Sequence, residues 1–414
     1  MTVTTVVQRN RATTGPTSAH RALGSAVRYP PIMGDGESDG RTRLLVLTNS
    51  VQVGGMEEHV RLLAKDLDED RFHVSVVFPQ WAETDWFVDS LNDVADDVVQ
   101  ITPDRRHGWL KMPKQAVQLW QFARRNDFDV AHLHSTTYRG QLVMLAALRA
   151  GGINRTFLTE HLAPEIKPSI FQRIERWAVT SLVTGVVCVS ERNRESRARF
   201  FHTPAASTHV VANGIDLARF DEVRTDDDAD VRRRYSIPAD APIVGTAIRF
   251  EPGKGVDDLI AGFAITAHEH PTARLLLVGD GRLRSELERQ VTDLGISDQV
   301  VFTGFVNDPR SLIAAMDVFV LPVPFGSASI GLLEAMALSR PCIITFGGDG
   351  EAVEHGRSGF WAKPADPRSI AHHIDLLLDD DAARLEMGAQ ARLRVEQAFT
   401  SSRVAEELSR LYEP

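Results

Sequence analysis

A chain of 414 residues is too long for one ordinary hydrophobic core and divides most simply into two domains of similar size. Acidic residues outnumber basic ones by 56 to 46, and the formal charge of -10 argues against a nucleic-acid carrier. No uncharged apolar run approaches the roughly 20 residues that span a bilayer, and Cys188 and Cys342 match neither zinc nor redox spacing. Both cysteines lie in apolar runs and read as core residues of a reducing, cytoplasmic compartment.

In chain order, residues 1–42 are rich in Gly, Pro, Ser, Thr and Arg and read as a flexible leader. From Arg43 onward, short β-rich runs alternate with helical patterns: RLLVLTNS, the amphipathic MEEHVRLLAKDL, HVSVVF, DVAHLHS, RTFLTEH, GVVCVS and STHVVANGID. This alternation predicts buried parallel strands with crossover helices. Asp127 and Asp129 have the spacing of a metal-binding pair but precede their strand, away from the edge where ligands bind, and read as structural. A charged stretch, RTDDDADVRRRY, and the turn signals IPADAP separate this half from a second one, which restarts with PIVGTAIRF and continues through ARLLLVGDG, QVVFTGFV, DVFVLP and PCIITF. The acidic triplets at 226–228 and 379–381 read as solvated turns and helix starts.

In open α/β sheets the ligand lies beyond the carboxyl ends of the strands, so the residues just after each strand carry the chemistry. In the first half these are Gly54 and Gly55 before a helix, His134 ending DVAHLHS and His161 ending RTFLTEH. A glycine pair there lets a diphosphate reach backbone N–H groups, or serves packing alone. Two strand-end histidines suit a polar small molecule or a satisfied core. In the second half IRFEPGKG sets Arg249 at a strand end and Lys254 between glycines, directly before VDDLIAGFA. Two cations and a helix N-terminus suit a diphosphate; a surface salt-bridge pair is the alternative. Farther on, VPFGSASIGLLEAM places Glu334 in the helical sector of Ile330, Ala337 and Leu338, a face expected to be buried. Such a carboxylate needs either a protein partner or a ligand with hydroxyls.

The segments GGMEEHV, DVAHLHS, VVANGIDLARF, IRFEPGKGVDDLIAGFA, LLLVGDGRLRSELE, VVFTGFV and LLEAMALSRPCIIT resemble, in order, the retaining glycosyltransferases of family 4. The resemblance covers nearly everything from Arg43 to the C-terminus. It implies an α/β, GT-B fold of two Rossmann-like, doubly wound parallel-sheet domains facing across a cleft. Residues 43–220 would form the acceptor domain, 240–399 the nucleotide-sugar domain, and the last helix, 400–414, would return to the first. It implies catalytic roles for Arg249 and Lys254 on the diphosphate and for His134 on the transferred sugar. Donor contacts fall to Gly54, Gly55, Val306, Gly326, Ser329, Ile330, Gly331 and Glu334, whose carboxylate would take the ribose hydroxyls. His161 lies toward the acceptor or sugar, and neither a metal nor another cofactor is expected.

One departure stands out. The family pattern has a second Glu eight residues before the helical one; here that position is Gly326, and aligning PFG instead gives Val323. The activity implied is retaining transfer of a hexosyl group from a nucleoside-diphosphate sugar to a hydroxyl of a glycan, a lipid-linked acceptor or a small molecule. A nucleotide-binding partner subunit with weakened catalysis is the alternative raised by the missing Glu. An epimerase or glycogen-type synthase would need motifs that are not present. For the acceptor there is one hint: Asp104 to Arg125 mixes basic residues with Trp109, Leu110, Met112, Trp120 and Phe122. Such a stretch suits peripheral contact with an anionic membrane face, or a helix packed on the sheet with its basic side in water.

Overall fold

The computed structural model describes residues 6–8, 40–48, 54–78, 85–100, 112–136, 140–162, 168–201, 203, 205–223, 226–324, 329–345 and 350–413. The chain forms two compact units, one of Met1–Val211 with Val404–Pro414, the other of Ala212–Arg403.

The first unit holds strands β1 (Val6–Gln8), β2 (Thr42–Thr48), β3 (Phe72–Val77), β4 (Asp97–Val99), β5 (Val130–Ser135), β6 (Arg155–Glu160), β7 (Gly185–Cys188) and β8 (Thr208–Val210). They form one sheet in the order β1-β4-β3-β2-β5-β6-β7-β8, parallel except for β1. Strands covered on both faces need apolar residues at every position rather than at alternate ones, and Leu44, Leu45, Val46 and Leu47 of β2 are all buried. Right-handed crossovers put α1 (Gly55–Asp66) and α2 (Asp85–Asn92) on one face. The other face carries α3 (Met112–Arg125), α4 (Gln141–Ala150), α5 (Ile170–Leu182) and α6 (Glu191–Phe201). The reading of residues 1–42 as a leader needs amending at β1, which pairs Val6 with Val99 at the sheet edge. The β-branched run TVTTVV favours a strand, a signal that overall composition obscures.

The second unit begins with the short α7 (Ala218–Asp221) and with α8 (Asp226–Arg234), a helix within the charged stretch. Arg232 steadies α8 by pairing with Asp228 at 2.9 Å, one turn back, and by donating to the Ala241 carbonyl at 2.8 Å. Its sheet runs β11 (Val300–Gly304), β10 (Arg274–Val278), β9 (Ile243–Ala247), β12 (Val318–Leu321), β13 (Cys342–Thr345), β14 (Gly359–Ala362), all parallel. The helices are α9 (Val256–Glu269), α10 (Arg284–Asp293), α11 (Arg310–Ala314), α12 (Ile330–Ala337), α13 (Pro367–Asp379) and α14 (Asp381–Ala398); the last helix, α15 (Ser401–Tyr412), belongs from Val404 onward to the first unit. Within α15, Val404, Ala405, Leu408 and Tyr412 pack into the core beneath α1 and α2 of the first unit.

Both cysteines are buried, with their thiols pushed up by desolvation, Cys188 to about 12. Asp129 accepts the Arg43 amide at 2.8 Å, tying the start of β5 to β2, and Asp380 caps α14 through the Ala383 amide at 2.9 Å.

Candidate functional site

Each sheet has a topological switch point, where successive connections leave in opposite directions and open a crevice at the strand ends. In the second unit it falls between β9 and β12. The chain leaves β9 through Arg249 and Lys254 into α9, whose N-cap is Gly255 at φ 70°. A Cβ on Gly255 would stand 2.1 Å from the Pro322 carbonyl oxygen, one residue past β12. A Cβ on Gly331, in the first turn of α12, would meet the carbonyl of Ala247, the last residue of β9, at 3.1 Å. Each helix therefore begins against the end of the other's strand. Two sets of first-turn N–H groups and two positive helix ends gather at this switch point.

The loop before α9 is held from behind. Buried Phe250 receives the Leu283 amide on its carbonyl (3.0 Å) and donates to Asp280 (2.9 Å), while the Lys254 amide closes a turn on Glu251 (3.2 Å). Arg282 pairs with Glu251 at 2.6 Å and holds its carboxyl below the usual range. Arg249 is exposed and Lys254 half-buried. On α12, Ser329 caps the helix, accepting the Leu332 amide at 3.4 Å. Val306, two residues past β11, is half-buried against the core. Gly326 lies outside the described residues.

Glu334 departs from expectation. The buried arc of α12 is Leu332, Leu333, Ala335, Met336 and Ala337, so Glu334 sits on the opposite side of the helix, half-buried together with Ile330 and Leu338. Ile330, Ala337 and Leu338 suggested a buried sector, but only Ala337 of these is buried, and Leu332, Leu333, Ala335 and Met336 decide which side faces the core. The carboxylate is within electrostatic reach of Arg310, which pairs with Asp308 at 2.6 Å and donates to the Arg219 carbonyl.

In the first unit the switch point lies between β2 and β5. Gly54 is the N-cap of α1, and its amide is engaged by the Glu57 carboxylate at 2.7 Å; Gly55 opens the helix and is exposed. His134, near the end of β5, and His161, just past β6, are brought together: Nδ1 of His134 and Nε2 of His161 share a hydrogen bond at 3.2 Å. The second nitrogen of His134, Nε2, is buried without a hydrogen-bond partner among the described residues. His59 of α1 packs against both rings, centroid distances 5.2 Å. His132 lies beneath, 4.2 Å from His134, with one nitrogen on Thr159 Oγ1 (2.7 Å) and the other on the Tyr412 hydroxyl. Burial holds His134 and His161 well below the usual histidine pKa and His132 down to about 3. Burial therefore keeps these three rings neutral at pH 7.

The strand end that carries His161 is fixed by a buried ion-pair network. Glu160 pairs with Arg176 of α5 at 2.7 Å and with Arg197 of α6, while Arg176 also donates to Gln141 of α4 at 2.6 Å. Asn193 donates to the Glu160 carbonyl at 2.8 Å. Removing one partner from such a buried set leaves an uncompensated charge.

Sequence reasoning singled out neither His59 nor His132. The signal for His59 was available, because Met56, His59, Val60 and Leu63 recur at helical spacing and all four are buried. His132 shares its strand face with His134, two residues on.

Residues 53–219 match the model of Glycosyltransferase Family 4 and residues 227–394 that of Glycosyl transferases group 1. N-acetyl-alpha-D-glucosaminyl L-malate synthase of Bacillus anthracis is 32% identical over 72% of this chain and 77% of its own. The GDP-mannose-dependent alpha-(1-6)-phosphatidylinositol monomannoside mannosyltransferase of Mycobacterium tuberculosis is 28% identical over 85% of this chain and 93% of its own. Among solved structures, Anabaena Alr3699/HepE in complex with UDP-glucose superposes with a TM-score of 0.74, at 23% identity over 89% of this chain and 99% of that one. That superposition shows the GT-B fold, and with an archetype of two parallel Rossmann-like sheets, two consecutive family matches and a relative aligned over most of both chains, this chain belongs to glycosyltransferase family 4.

Proposed function

We propose that the protein transfers a hexosyl group from a nucleoside-diphosphate sugar to an acceptor hydroxyl, with retention at the anomeric carbon and without a metal ion. The observation that carries this reading is the meeting of the α9 and α12 N-termini at one switch point, with Arg249 and Lys254 on the connecting loop. Breaking the anomeric C–O bond moves charge onto the diphosphate, and positioned N–H groups and cations at that place lower the barrier. The structure of HepE with UDP-glucose and the GDP-mannose dependence of the mycobacterial relative support a nucleoside diphosphate hexose as the donor class.

The retaining step pairs two bond changes. The acceptor oxygen bonds to the anomeric carbon on the face that the diphosphate leaves, and the departing phosphate oxygen takes the acceptor proton. Glu334, half-buried on α12, is assigned to the ribose hydroxyls. In the first unit, His134 Nε2 is assigned to a hydroxyl of the transferred sugar. A neutral ring suits this task, since an imidazolium there would repel the cationic character that develops at the anomeric carbon.

A thermal-shift panel of UDP, GDP and ADP tests the donor site, because a ligand at a hundred times its dissociation constant adds about 2.7 kcal/mol of stability. One nucleotide is expected to raise the midpoint, and no shift with any would overturn the reading. Dialysis against EDTA is expected to leave turnover unchanged. The second reading, a nucleotide-binding subunit without transfer, is favoured by Gly326 in place of the family Glu. It predicts the same thermal shift with neither transfer nor donor hydrolysis.

A further inference from the structure

The two helical layers of the first unit differ in character. The layer of α1, α2 and α15 carries more acidic than basic residues. The sequences of α3, α4 and α5, on the other face, hold Lys114, Arg124, Arg125, Arg149 and Arg173 against a single acid, Glu175, with Arg176 turned inward onto Glu160. This excess stands out in a chain of formal charge -10.

The same layer leaves large apolar groups in water. On α5, Phe171 is 80% exposed, Trp177 72%, Ile170 61% and Ile174 56%. Spacings of three and four residues place Ile170, Ile174 and Trp177 in one stripe, with Phe171 at its margin. The inner side of the helix is fixed independently by buried Arg176 and Val179. Each aromatic ring offers on the order of 200 Å², so this stripe alone approaches the largest apolar patch that a monomer ordinarily leaves open. On α3 and α4 an apolar groove of about 400 Å³ runs between Val117 and Trp120 on one side and Leu142, Val143 and Ala146 on the other. Leu119, Phe122 and Ala123 point the other way, into the core, so α3 packs on the sheet as well as presenting this groove. Arg124, Arg125, Arg149 and Arg173 are exposed.

We infer that the α3–α4–α5 face docks on an anionic phospholipid surface. Phe171 and Trp177 enter the boundary between headgroups and acyl chains, where amphipathic aromatics sit, and the exposed arginines meet lipid phosphates. Charge selects the occupant: apolar side chains ringed by cations, with one acid among three helices, complement a negatively charged leaflet. A second copy of this chain would bring like charges together at the rim of the same patch. The inference is independent of the transfer reading, because binding to lipid is measured without turnover.

Co-sedimentation of the full chain with sucrose-loaded vesicles tests it, comparing phosphatidylcholine alone with vesicles one-third phosphatidylglycerol. Expected is binding to the anionic vesicles that weakens with salt and falls at least tenfold in Phe171→Ser/Trp177→Ser. Arg124→Gln and Arg125→Gln are each expected to weaken it about fivefold. These surface variants should keep the wild-type thermal midpoint, so that a loss of binding reports on the surface alone. Absence of binding to anionic vesicles, equal binding to neutral ones, or an unchanged double variant would overturn the inference. So would a dimer in size-exclusion chromatography that Phe171→Ser/Trp177→Ser dissociates, since the patch would then be a contact between copies.

Discussion

The two switch points solve opposite electrostatic problems. In the second unit the strand ends are open, and they gather positive charge from an exposed arginine, a half-buried lysine and two helix N-termini. In the first unit the strand ends are buried: the rings of His59, His132, His134 and His161 pack on one another, and burial keeps the last three unprotonated. One set of strand ends suits an anion, the other presents histidine rings that carry no charge.

The largest expected effect strikes the cationic side. Lys254→Ala removes charge where charge develops during bond breaking, and a loss of about 10²–10³-fold in kcat is expected on the scale of other preorganised electrostatic contacts. Steady-state kinetics with the donor identified by thermal shift checks this, and near-normal turnover would break the assignment. Gly255→Ala attacks the same place through the backbone. The new Cβ would stand 2.1 Å from the Pro322 carbonyl oxygen at a φ of 70°, so the start of α9 must move. A loss of about 2–4 kcal/mol is expected in denaturant unfolding, where Gly253→Ala, with nothing within 4 Å of its Cβ, isolates the cost of a positive φ alone.

On the neutral side, His134→Ala is expected to lower kcat/KM by about 10–100-fold, the size of one or two lost hydrogen bonds to an uncharged group. Nucleotide affinity in the thermal-shift panel should stay unchanged, because the nucleotide is assigned to the second unit. A fall in nucleotide affinity equal to the fall in kcat/KM would erase the division of labour between the two switch points.

Much of this contrast was legible in the sequence, for identifiable reasons. Strands covered on both faces write themselves as uninterrupted Leu and Val runs, and a glycine whose Cβ would strike a carbonyl is conspicuous before a helix, as at Gly255. Arg249, Lys254, His134 and His161 could be placed at strand ends because parallel sheets bind ligands there. What escaped was decided by side-chain environment. Glu334 shares its helical sector with Ile330, Ala337 and Leu338, yet of these only Ala337 is buried. His132 and Tyr412 are 280 residues apart and share a hydrogen bond that no local pattern encodes. The exposed stripe of α5 escaped for the converse reason, since an apolar helical face reads as core until its surroundings are known.

The smallest effect is also the one that sharpens the comparison by pH. His134 and His161 have folded-state pKa values well below the ordinary 6.5, and His132 is near 3, all through burial. Below about pH 6.5 the unfolded chain takes up protons at these sites while the folded chain does not, so acidification favours unfolding. Each buried histidine then removes up to about 1.4 kcal/mol of stability per pH unit, beginning near 6.5 and continuing until its own folded pKa is reached. For His132 that window extends down to about pH 3. Urea unfolding between pH 7 and 5 is expected to show stability falling with pH, and His161→Asn, which keeps a polar side chain but cannot titrate, should flatten the slope by up to one proton. An unchanged slope in His161→Asn would mean that the ring is already protonated in the folded protein, and the neutral character assigned to these strand ends would be lost with it.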